Sequence, residues 1–220
     1  MSKTVLDKPV LLCLYGFPGA GKSYVARNMA SEVQMAHVSA DRIRSELFQQ
    51  PRYDAQENAI VLHLMNYMTA EFLEAGVSVV YDICAARLGQ RRALRELAKK
   101  HRAEYLLVWL QIDQDSAFNR TQARDRRTSD DRFAQPQTQE SFGKVVGDMQ
   151  NPNPNEPYMV ISGKHSFVTQ KNAVVNKFYQ LGLINSEMVQ QHVAKPELIN
   201  LVPNPYSGRV DMSRRNITIR

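Results

Sequence analysis

The stretch Gly16-Phe17-Pro18-Gly19-Ala20-Gly21-Lys22-Ser23 constrains this chain more than any other. It fits the pattern G-x-x-x-x-G-K-[ST], in which backbone N–H groups cradle phosphates. An apolar run, Val10-Leu11-Leu12-Cys13-Leu14-Tyr15, leads in, and a helical pattern over 24–33 leads out. Strand, loop and helix together make the pattern a physical site. Glycines let successive N–H groups turn inward, and the helix N-terminus adds partial positive charge at the same place. In such a loop Lys22 reaches the β- and γ-phosphates of a nucleotide, and the Ser23 hydroxyl ligates Mg²⁺.

The rest of the chain gives that loop an α/β setting. Apolar, β-branched runs predict strands at 10–15, 36–39, 77–82, 104–112 and 158–162. Helical spacing predicts helices at 42–48, 54–75, 88–101, 115–127, 139–149 and 166–181. Ser39 or Asp41 is expected to cap the first of these, and Gly76 to close the second. The helix at 88–101 reads as amphipathic, with its arginines and lysines outward. Asn151-Pro152-Asn153-Pro154-Asn155-Glu156-Pro157 is a rigid connector. A short helix at 186–193 and an extended tail with Pro196, Pro203, Pro205 and Gly208 are expected to follow. Strands alternating with helices imply a parallel sheet covered on both faces, with ligands at the carboxyl ends of the strands. The loop at 16–23, Asp41 and Asp82 all follow strands, so they are expected to meet in one crevice.

Composition narrows the function classes. A chain of 220 residues, 43% hydrophobic and 23% charged, suits one well-buried soluble domain. The polar start and the lack of a long apolar run lead us to expect a cytoplasmic protein with no membrane contact. The two cysteines, Cys13 and Cys84, fall in predicted strands and read as reduced core residues. The five histidines are scattered without zinc spacing, and His63 lies in an apolar helix where packing is the simpler role. The net charge of +6 fits either a polyanionic small molecule or nucleic acid. Basic residues crowd 120–132 and 209–220.

Several side chains carry candidate chemistry. Asp41 and Arg44 share one helix face, from which Arg42 points about 100° away. Asp41 can take the proton of an acceptor hydroxyl, and Arg44 can hold the acceptor or the transferring group. Asp82 can hold Mg²⁺ directly or through water. Arg120, Arg124 and Arg127 form an i, i+4, i+7 stripe that can clamp phosphates and stack on a base. Arg87 and Arg91 are weaker candidates, better read as a surface face.

On Gly16 to Ser23, Ala40-Asp41-Arg42-Ile43-Arg44, Val79-Val80-Tyr81-Asp82 and Asn119-Arg120 through Arg124 to Arg127, the chain resembles the P-loop kinases of the polynucleotide-kinase and zeta-toxin type, the AAA_33 group. The resemblance covers about residues 8 to 181. It implies a three-layer α/β/α P-loop NTPase fold over 1–184, with a helical lid at about 120–150 and a C-terminal extension at 185–220. It implies Asp41 as general base, assisted by Arg44, and Arg120, Arg124 and Arg127 as lid and nucleobase contact; in the reaction so read, Lys22 and Arg124 are expected to neutralise charge on the transferring phosphoryl group. ATP would be held by Gly16, Phe17, Pro18, Gly19, Ala20, Gly21, Lys22, Ser23 and Tyr24. Arg120, Arg124, Arg127 and Gly163 would bound the phosphates and base, and Ser23 and Asp82 the Mg²⁺. Relatives often carry Thr-Asn after the aspartate, where this chain has Ile83-Cys84.

The leading expectation is an ATP-dependent kinase acting on a hydroxyl of a small molecule: a metabolite, sugar or nucleotide-sugar. The region 43–75 would form the acceptor pocket. A nucleic-acid 5′-hydroxyl ranks below it, because no basic strip interleaved with aromatic residues stands out. A non-catalytic nucleotide switch and an RNA-binding module using the basic tail are the other classes. The guanine version of the switch is weakened because Val175-Asn176-Lys177-Phe178 lacks the needed aspartate.

Overall fold

The structure, a computed structural model, describes residues 3–124, 133–134 and 137–184. The expected short helix at 186–193, the tail and Arg127 lie outside the described residues. The elements run β1 (Val10–Tyr15), α1 (Lys22–Glu32), β2 (Met35–Ser39), α2 (Ala40–Leu47), α3 (Ala55–Glu74), β3 (Ser78–Cys84), α4 (Leu88–Lys100), β4 (Glu104–Gln111), α5 (Gln114–Gln122), α6 (Gln139–Gly147), β5 (Tyr158–Ser162) and α7 (Phe167–Gln180).

The sheet has the order β2-β3-β1-β4-β5, and every pair is parallel. A central parallel strand is covered on both faces, which is why β1 is apolar at every position and wholly buried. Its alternation sorts the core. Val10, Leu12 and Leu14 face α1 and α7, whereas Leu11, Cys13 and Tyr15 face α3 and α4. Each fully buried leucine contributes roughly 1.5–3 kcal/mol of transfer free energy. Cys13 is buried, and both cysteines are free thiols.

Local chemistry fixes the ends of the helices. The Asp54 side chain accepts from the Glu57 N–H at the start of α3, and Gly76, at φ +76°, closes it. Ser39 holds the N-cap position of α2 without a side-chain bond, and Asp41 falls in the first turn. Neither side chain therefore caps the helix as expected, which leaves the Asp41 carboxylate for other work. Helix α5 stops at Gln122, short of the expected 127, so Arg124 lies beyond the helix that carries Arg120, and these two do not share one helical stripe.

Two details place the site. In this order the connection after β1 runs toward β2 and the one after β4 toward β5, so they leave in opposite directions and open a crevice at the strand ends. The β1–β3 register also slips: Cys13 pairs with Tyr81, but Leu14 pairs with Cys84. Asp82 therefore leaves the β1 ladder while still pairing with Ser39 of β2.

Arg91 corrects the outward reading of α4. It is fully buried, and its guanidinium donates to Glu156 Oε2 at 2.7 Å and Oε1 at 3.0 Å. It also donates to the carbonyls of Ala85 and Gln150 and lies over the Tyr15 ring. The partner that neutralises it comes from the 151–157 connector, which it ties to the sheet.

Candidate active site

The loop after β1 bends through three glycines with positive φ. At Gly19 a side chain is excluded twice: φ is +83°, and a Cβ would lie 2.1 Å from the Ala117 carbonyl. Helix α1 starts at Lys22 behind Gly21, and among the described residues no side chain bonds its first N–H groups. Those donors and the helix dipole face the loop's concavity. Lys22 Nζ donates to Gly16 O at 2.8 Å and Phe17 O at 2.9 Å.

A cleft of about 680 Å³ lies along this loop. Pro18, Gly19, Gly21, Lys22, Ser23, Tyr24, Asp41, Asp82, Arg120, Arg124 and Gly163 all line it. Ala20 is buried, with its carbonyl against Gly163: a Cβ on Gly163 would come within 2.7 Å of it. The Phe17 ring packs on Phe142, and Gly16 and Phe17 line a separate cavity on the far side of the loop. Tyr24, 51% exposed, meets Phe167 edge-on.

The electrostatic centre is a pair of carboxylates. Ser23 Oγ donates to Asp82 Oδ1 at 3.0 Å, while the His37 ring Nε2 bonds Oδ2 at 2.9 Å. Asp41 has no hydrogen bond or ion pair among the described residues. Burial pushes its carboxyl up to about 6, and the charge of Asp82 adds to that, against the pull of Arg124, Arg44 and Lys22.

The arginines divide. Arg120 Nη1 donates to the Gly163 carbonyl at 2.8 Å, joining α5 to the loop after β5. Arg124 lines the cleft near enough to stabilise ionised Asp41. The expected reach of Arg44 to an acceptor needs correction. Its guanidinium is buried against α3, with Nη1 to Glu57 Oε2 at 3.3 Å, Nη2 to Asn58 Oδ1 at 2.6 Å, and the Tyr53 ring 4.7 Å away. Exposed Arg42 lines the cleft instead. A buried carboxylate, Glu57, outcompetes solvent for the nearest guanidinium.

Sequence reasoning passed over His37. The signal was its position two residues before Ser39, which puts both on one face of β2; each lines the cleft.

Ser23 and Asp82 supply a hydroxyl and a carboxylate oxygen side by side, the hard donors that suit Mg²⁺ when phosphates and waters complete its shell. Among the described residues no group of three His, Cys, Asp or Glu side chains gathers as a metal cage, and no helix is long and apolar enough to cross a membrane.

The AAA_33 family, described as an AAA domain, matches residues 11–142. Among solved structures, Kti12 of Chaetomium thermophilum in complex with ADP-AlF3 is 19% identical with a TM-score of 0.58, over 77% of this chain and 97% of that one. The APS kinase CysC of Mycobacterium tuberculosis, in complex with AMPPNP and APS, is 15% identical with a TM-score of 0.53, over 79% and 98%. A gluconokinase from Sinorhizobium meliloti 1021 is 14% identical with a TM-score of 0.54, over 84% and 97%. At such identities the likeness is one of fold. No curated protein matches.

Proposed function

Since this chain belongs to the AAA_33 family and has the three-layer α/β fold of P-loop kinases, we propose that it is an ATP-dependent phosphotransferase acting on a hydroxyl of a small molecule. The observation that carries the reading is Asp41. Its carboxylate, with no partner among the described residues and pushed up to about 6, lines the cleft that also holds Lys22, Ser23 and Asp82. A switch that only binds nucleotide has no need of a second carboxylate so raised, next to a negative neighbour.

In the proposed reaction the acceptor oxygen bonds the γ-phosphorus while the bond to the β–γ bridging oxygen breaks. The bridging electron pair leaves with ADP, and the acceptor proton passes to Asp41. The loop N–H groups and Lys22 hold the β- and γ-phosphates, and Arg124 offsets charge that develops during transfer. Ser23 and Asp82 would hold Mg²⁺, which supplies neutralisation of phosphate charge when bound. Arg120 and Gly163 bound the nucleotide on the base side. The nucleotides named with Kti12 and the APS kinase support ATP as the donor.

A screen of hydroxyl acceptors with γ-labelled ATP tests the reading. Transfer to an acceptor by wild type, lost in Asp41→Asn while Mg-ATP still binds, is the expected result. Equal transfer by the variant would remove Asp41 from the mechanism.

A further inference from the structure

We infer that the acceptor carries a neutral, largely apolar body, and that this body occupies a chamber between α3 and α4 beside the end of β3. The inference rests on the phosphotransferase reading and adds the chemical class of the acceptor.

The chamber holds about 210 Å³. Leu62 contributes from α3, and Ala93, Leu94 and Leu97 from α4. Ile83 and Cys84 line both the chamber and the cleft that holds Asp41. The two spaces therefore meet along Ile83 and Cys84 at the β3 end. Among the described residues no Asp, Glu, Lys, Arg or His lines the chamber. A phosphate or carboxylate placed there would lose water and find no counter-charge. An apolar cavity of roughly 150 Å³ accepts a benzene ring, so this chamber has room for one ring and a short chain.

Two carboxamides define its polar edge. Asn66 Oδ1 accepts from the Tyr81 hydroxyl at 2.8 Å, and Gln90 Oε1 accepts from the Arg87 N–H at 3.1 Å. Each oxygen already accepts one bond, and each NH₂ group has N–H donors to offer. The body that fits thus bears one or two ether, carbonyl or hydroxyl oxygens on an otherwise apolar frame. Its reacting hydroxyl lies toward Ile83 and Cys84, where the oxygen bonds the γ-phosphorus, ADP departs with the bridging pair, and Asp41 takes the proton.

The test uses 2-phenylethanol as probe, with glucose and a 5′-hydroxyl oligonucleotide as comparisons. Binding is followed by saturation-transfer NMR, Mg-ATP binding by calorimetry, and transfer with labelled ATP. Ala93→Phe, at an exposed helix position, fills the chamber, and Leu62→Glu puts a charge on its wall. We expect the alcohol to bind wild type and to bind each variant at least about tenfold more weakly, in the range that small changes in an apolar pocket produce. Mg-ATP affinity stays the same. Absence of alcohol binding beside normal Mg-ATP binding would overturn the chamber and leave the phosphotransferase reading standing. So would phosphorylation of glucose or the oligonucleotide by Ala93→Phe at the wild-type rate. Alcohol binding without any Mg-ATP binding would overturn the phosphotransferase reading, and the chamber's role with it.

Discussion

His37 Nε2 and Asp82 Oδ2 stand 2.9 Å apart, on the oxygen opposite the one that Ser23 engages. The carboxylate is therefore gripped at both ends, and its plane is set by a side chain that need not touch the Mg²⁺ proposed for this site. Partners of this kind typically change metal affinity 10- to 100-fold when removed. His37→Ala is expected to raise the Mg²⁺ concentration for half-maximal binding by about that factor in the presence of a non-hydrolysable ATP analogue. His37→Gln, which keeps a donor nitrogen, should recover most of the loss. Calorimetric Mg²⁺ titration checks this, and an unchanged requirement in His37→Ala would count against it.

Asp41 makes two pH predictions with opposite signs. As a base it works only when ionised, so kcat/KM should fall as pH drops through about 6. Asp41→Asn should lose that limb and about 10²- to 10⁴-fold in transfer. For stability, a carboxyl raised in the folded state favours folding while protonated and loses that favour as pH rises from its unfolded value through about 6. Asp41→Asn should therefore stabilise the protein at pH 8 by on the order of 1–3 kcal/mol, and not at pH 4. Urea melts at the two pH values decide it.

Arg91 and Glu156 form a buried pair, each side chain 1% exposed. Arg91→Ala leaves Glu156 buried without its cation, and should cost about 3–5 kcal/mol in denaturant melts. The double variant Arg91→Met/Glu156→Leu should cost clearly less, because no lone charge remains. Burial works to raise the Glu156 carboxyl, but the Arg91 bonds and the Asn153 N–H contact keep it below the usual range. That share of stability is present at neutral pH and is lost as pH falls through the lowered value.

Gly163→Ala places a methyl against the Ala20 carbonyl, backbone that lies within the phosphate loop. We expect nucleotide affinity to fall about tenfold with a change in Tm of only a few degrees. Fluorescent-nucleotide titration and a melt measure the two separately. A large loss of Tm with affinity preserved would mean that the strand, not the loop, yields.

The fold was readable because its signals are local. The six apolar residues of β1, the glycines behind them and the Asp54 cap each announce an element from neighbouring residues. The convergence of the loop, Asp41 and Asp82 followed from parallel topology alone. What escaped depended on distant partners. Arg91 and Arg44 look like surface residues by hydropathy, yet each is buried by a glutamate on another element. The early end of α5 at Gln122 carries no glycine or proline to mark it. The register slip that frees Asp82 is a property of two paired strands, invisible in either one. Gly163 is expected from the sequence only to help bound the base; its contact with the Ala20 carbonyl needed coordinates.

The first described segment joins the molecule far from the cleft. Thr4 bridges Val33 at the end of α1, and the Asp7 N–H donates to the Leu183 carbonyl just past α7. Both anchor points lie at the amino-terminal rim of the sheet, a strand's length away from Lys22 and Asp41. Exposed Asp7 or Lys8 thus offers an attachment point for a surface tether or a dye, one that would immobilise the protein with its cleft turned outward.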